Sequence, residues 1–178
     1  MAEESHADAH DRGKLDRWWQ DLSSEAEGHQ PLHAVFLVSK DHVHAHNAFR
    51  RFRQAYEEAS APFHALTIFG QHGISAAERF LAQGFGVPEE EFPALVLFQS
   101  HQASRVILVP LGPEVDGELA VEIGVTLERF LKGGASEESL LASTAGKTVA
   151  RECEVACGSI EDLLRNTMAQ LAAAIEGD

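Results

Sequence analysis

Four apolar runs of strand length, LHAVFLVS (32–39), PFHALTIFG (62–70), ALVLFQ (94–99) and RVILVPL (105–111), constrain the fold of this chain more than any other feature. Each is too short for a typical helix and carries apolar side chains at consecutive positions, as strands covered on both faces do. Between the first two, HAHNAFRRFRQAYEEAS (44–60) places Ala45, Ala48, Phe49, Phe52, Tyr56 and Ala59 on one helical face. Between the second and third, ISAAERFLAQGFG (74–86) aligns Ile74, Ala77 and Leu81 and ends in glycines. The polar SHQAS (100–104) joins the last two runs at hairpin spacing. A further helix puts Leu127, Phe130 and Leu131 inward and stops at Gly133 and Gly134. The stretch 117–125 fits both periods: Leu119, Val121, Ile123 and Val125 alternate, while Leu119, Ile123 and Leu127 suit a helix.

The resulting order is β-α-β-α-β-β-α. A helical crossover makes the first two strands parallel, and a hairpin makes the last two antiparallel. The fold class is therefore α/β, with a mixed central sheet, helices on both faces, and helical extensions at each end.

The extensions read as follows. Residues 1–10 are polar and acidic and are expected to be unstructured. From Asp11, the positions of Leu15, Trp18, Trp19 and Leu22 form a single apolar stripe of a helix, which Gly28 and Pro31 would end. Adjacent tryptophans need burial, on the main domain or on a second chain. After a small-residue linker (135–148), a helix begins near Ser159 with Asp162 in its first turn. Ile160, Leu163, Leu164, Met168, Leu171 and Ile175 form its apolar stripe. The organisation is a tail and helix over 1–30, a main domain over 31–134, and a linker with a helical extension over 135–178. The terminal helices could also support a homodimer.

Charge narrows the partners. Fourteen Lys and Arg against 28 Asp and Glu give a formal net charge of −14, which opposes binding to nucleic acid or an anionic membrane. No run reaches transmembrane length, the start MAEESHADAHDRGK lacks the features of a signal peptide, and two cysteines imply no disulfide framework. A cytoplasmic location is the expectation.

The segment GVPEEEFPALVLFQ (86–99) has a glycine-ended helix, an acidic turn, and then Phe92 and Pro93 opening an apolar strand. It resembles the cis-proline segment of thioredoxin-fold proteins, and the likeness extends over residues 31–134. The phrasing is especially similar to the non-redox thioredoxin-like domains of protein disulfide isomerases. At the place where thioredoxins carry Cys-x-x-Cys, this chain has KDHVHAHNAF (40–49), with no cysteine. The resemblance implies the scaffold and a peptide- or partner-binding groove beside Phe92 and Pro93, without dithiol exchange at that place. It implies no cofactor.

His42, His44 and His46 invite a metal reading. On a helix only His42 and His46, four apart, come together, and His72 is the most suitable ligand from elsewhere. Arg50, Arg51 and Arg53 oppose a cation there. With Lys40 they make a basic corner that could meet an acidic segment of a partner, or pair with Glu57 and Glu58. Cys153 and Cys157 would share a helical face and pack as small apolar residues. STAGKT (143–148) lacks the first glycine of a phosphate-binding loop, and His6 and His10 have paired-histidine spacing without the glutamate.

The expected function is a non-catalytic protein-binding module, as an adaptor, chaperone-like or assembly factor. Its surface would comprise His42, His44, His46, Arg50, Arg53, Phe92 and Pro93. The alternatives are a metal- or thiol-dependent enzyme using the histidine cluster or the cysteines, and a structural subunit of a larger complex.

Overall fold

The computed structural model describes residues 5–25, 31–111 and 151–176. Its elements are α1 (His6–Ser23), β1 (His33–Leu37), α2 (Val43–Glu58), a 3-10 turn (Phe63–Ala65), β2 (Leu66–Phe69) and α3 (Ala76–Phe85). A second 3-10 turn (Glu89–Glu91), β3 (Ala94–Phe98), β4 (Arg105–Pro110), β5 (Arg151–Glu154) and α4 (Ile160–Glu176) follow. The strands form one sheet in the order β2-β1-β3-β4-β5. Strand β1 runs parallel to β2 and antiparallel to β3, and β3–β4 and β4–β5 are antiparallel. The α/β expectation is met.

Alternation along the central strands sorts the core into two layers. Ala34, Phe36, Leu95, Leu97, Ile107 and Val109 pack with Ala45, Ala48, Phe52 and Tyr56 of α2. Val35, Leu37, Val96, Phe98, Val106 and Leu108 pack with α1, α3 and α4 on the other face. Every residue of β1 and β3 is buried, which is why these runs lack a polar face. The bond between Phe92 and Pro93 is cis. Among the described residues no helix is long and apolar enough to cross a membrane.

Three sequence expectations are corrected. First, His6–His10 are helical rather than unstructured. The Ser5 side chain caps α1 by accepting from the Asp8 amide at 3.1 Å. Asp8 in turn accepts from the Ala76 amide at 2.7 Å. Helix α1 ends at Ser23, and its apolar stripe faces the chain's own core: Leu15, Trp18 and Leu22 are buried. Trp19 is half-buried beneath Arg165 of α4. Second, the run 62–70 divides into a 3-10 turn and a strand of four residues. Third, the segment beyond residue 134 contributes a strand, with Val106 opposite Cys153. Cys153 therefore lies on β5 and Cys157 in the turn after it, not on one helical face, and both are half-buried free thiols.

Arg151 of β5 forms a two-pronged ion pair with Glu91 at 2.8 and 2.7 Å. Helix α4 begins where the Ser159 hydroxyl accepts from the Asp162 amide, as its sequence suggests. The stretch 117–125, the helix carrying Leu127, Phe130 and Leu131, the linker 135–148 and the side chain of Ile175 lie outside the described residues.

Candidate functional site

A cleft of about 670 Å³ opens where the start of α2, helix α3 and the turn leading to Pro93 meet. Its walls include Ser39, His42, Ile74, Glu78, Arg79 and Phe92. Two of the residues expected to bind a partner, His42 and Phe92, are brought together here.

His42 stands at the N-cap position of α2 without capping the helix through its side chain. Its Nδ1 instead accepts the Ser39 amide at 2.9 Å, while His46 Nε2 donates to the Ser39 carbonyl at 3.0 Å. The two histidines thus hold both backbone groups of Ser39, the residue where the chain leaves the sheet. Burial, followed by the neighbouring His46, lowers the pKa of His42 and favours the neutral ring. With Nδ1 accepting, the proton of the neutral ring sits on Nε2, leaving a donor for the cleft.

Glu78 is the residue of this site that sequence reasoning missed. Ser75 and Glu78 have capping-box spacing, and the Glu78 amide does donate to Ser75 Oγ at 3.1 Å. The Glu78 side chain, however, is fully buried, and neither carboxyl oxygen has a hydrogen-bond partner. It lies over Gly70, whose φ is +80°. A Cβ there would stand 1.9 Å from the Val38 carbonyl and 2.4 Å from Glu78 Oε1, so only glycine fits. Burial, reinforced by the charge of Asp11, pushes the Glu78 pKa up to about 8. The raised value favours the neutral carboxylic acid over the carboxylate. One signal could have revealed it: Glu78 falls at i relative to Leu81, Ala82 and Phe85 at i+3, i+4 and i+7, inside the buried stripe of α3.

Asp11 supports this wall from α1. It is buried and accepts from the Gly70 amide at 2.8 Å and the Ser75 hydroxyl at 2.7 Å, with Lys14 Nζ at 3.6 Å. The rim is apolar: Ile74 is 60% exposed, as is Val43, the residue after His42. The cleft thus offers the His42 donor beside exposed apolar side chains, with the buried Glu78 carboxyl behind its wall.

The other expected residues lie elsewhere. His44 is exposed on α2. Arg50 donates to Asn47 at 2.9 Å, and Arg53 pairs with Glu57 at 3.2 Å beside the Phe63 ring, lining a separate depression of about 130 Å³. Pro93 is buried, its carbonyl accepting from the Leu111 amide at 2.9 Å. His72 sits with His6 and His10, ring centroids 5.2 and 4.4 Å away, rather than with His42 and His46. Among the described residues, the donor atoms that converge within 4.8 Å belong to Glu25, His33 and His64. No family model matches the sequence, and neither the curated proteins nor the solved structures provide a match.

Proposed function

We propose that this chain is a thioredoxin-like protein without redox activity, which binds an extended, acceptor-rich segment of a partner protein in the cleft between α2 and α3. The supporting observation is that His42, within the segment 40–49 where the resemblance would put Cys-x-x-Cys, shares one cleft with Phe92 of the proline turn. The strand order and directions agree with that scaffold. The donor of His42, with the cation of Arg79, suits backbone carbonyls and acidic side chains of a bound segment. Ile74 and Phe92 would supply its apolar contacts.

The test is photo-crosslinking in the cells of origin, with the photoreactive residue placed at Gln83 in the cleft wall or at exposed Gln54 on α2. Discrete adducts are expected from position 83 and not from position 54, and Ile74→Asp should reduce them by at least about fivefold. Equal labelling from both positions, or adducts indifferent to Ile74→Asp, would overturn the reading. The purified chain is also expected not to reduce insulin; reduction dependent on Cys153 or Cys157 would remove the non-redox part.

A further inference from the structure

We infer that Glu25, His33 and His64 form a binding site for a first-row divalent cation, with zinc as the best match. The site shares no residue with the cleft and stands independently of the function proposed for it.

Its three donors come from separate segments: Glu25 just beyond α1, His33 at the start of β1, and His64 in the 3-10 turn before β2. His33 Nε2 lies 3.0 and 3.1 Å from the two carboxylate oxygens of Glu25, and His64 Nε2 lies 2.5 Å from Oε1. Two imidazoles and a carboxylate are a recurrent zinc donor set, leaving a fourth position for water. Ligand atoms about 2.0–2.1 Å from a tetrahedral ion lie roughly 3.3 Å apart, close to the 3.0 and 3.1 Å between His33 Nε2 and the Glu25 oxygens, and all three donors lie within 4.8 Å of one another.

Two features favour a cation over a simple hydrogen-bonded cluster. The side chains of Glu25, His33 and His64 are only 5%, 0% and 17% exposed. Among the described residues the Glu25 carboxyl group meets imidazoles and no Lys or Arg. A dication held by the three groups would sit against the carboxyl oxygens with no competing side-chain cation. The donors are also pre-oriented: the His33 ring stacks on Phe98 at 4.9 Å and 18° and lies 5.7 Å from the His64 ring. His33 Nδ1 has no partner. Coordination through Nε2 moves the proton there, and this unpaired N–H weakens binding relative to a site with an acceptor behind each histidine. His64, the most exposed of the three, marks the side from which an ion enters.

The experiment uses the full chain, stripped with a chelator and titrated at neutral pH with zinc by calorimetry and with cobalt by visible absorption. One strong site per chain is expected, with the intense visible bands of four-coordinate cobalt and a melting temperature that rises with zinc. His64→Gln and Glu25→Gln should each weaken binding at least about tenfold. The double substitution His10→Ala/His72→Ala should leave it unchanged, which separates this site from the exposed histidines around His72. Absence of strong binding, binding retained in both single variants, or binding lost in the His10/His72 variant would each overturn the assignment. Glu25→Gln keeps side-chain shape, so a folded variant remains for the test if His64→Gln disturbs the fold.

Discussion

Asp11→Ala is expected to lower stability by about 3–5 kcal/mol, read from urea unfolding of the full chain followed by far-ultraviolet circular dichroism. The substitution removes one carboxylate and strands three partners. The Gly70 amide and the Ser75 hydroxyl lose their acceptor, and Lys14 loses its counter-charge. Each orphaned buried polar group carries a penalty of about 1–3 kcal/mol, because water cannot replace the lost partner. Since a domain's whole stability is about 5–15 kcal/mol, the variant should be marginally folded. Asp11→Asn keeps a carbonyl acceptor and should lose roughly half as much. A loss below about 1 kcal/mol for alanine would mean that α1 is only loosely tied to the β2–α3 loop.

Glu78→Gln is expected to do the opposite under alkaline conditions. The folded-state pKa of Glu78 is raised to about 8 from an ordinary 4.5. Its favourable contribution is therefore complete below pH 4.5 and is lost as pH rises through about 8, because the unfolded chain ionises freely while the folded chain resists. The slope between those values is about 1.4 kcal/mol per pH unit, so this one group removes on the order of 3–5 kcal/mol. Glutamine does not titrate. The variant should match or fall slightly below the parent near pH ~5 and exceed it by about 2–4 kcal/mol near pH ~8.5. Urea midpoints at the two pH values decide it. Parallel behaviour of variant and parent would show that Glu78 is ionised and solvated at neutral pH, and the cleft would lose its neutral acid.

The fold was legible to the extent that burial writes itself into sequence. The runs that became β1, β3 and β4 are apolar because these strands are covered on both faces. Strand β5 reads RECE because it lies at the margin of the sheet and alternates between half-buried and exposed positions, so no apolar run announces it. The start of α1 was hidden for another reason: Asp8 and Asp11 look like surface acids but are satisfied by residues 68 and 59 positions away. Three residues of the expected binding surface, His42 and Phe92 with the buried Pro93, converge on the proline turn, whereas Arg50 and Arg53 are occupied along their own helix. The Glu25, His33 and His64 cluster is assembled by topology across 8 and 39 positions, and no spacing motif spans it.

The two margins of the sheet, as the described residues form it, bear on whether a second copy could extend it. The apolar strand β4 would be a ready template for another chain if the sheet stopped there. It is instead covered by β5, whose Glu152 and Glu154 pair with Arg105 at 3.7 Å each. At the opposite margin β2 is only four residues long, and Lys14 donates to the Ile68 carbonyl. A second copy attempting to add a strand meets alternating charge on one side and a short, lysine-decorated backbone on the other. Among the described residues, both margins of the sheet thus carry features that disfavour strand-by-strand addition, and the least apolar strand supplies one of them.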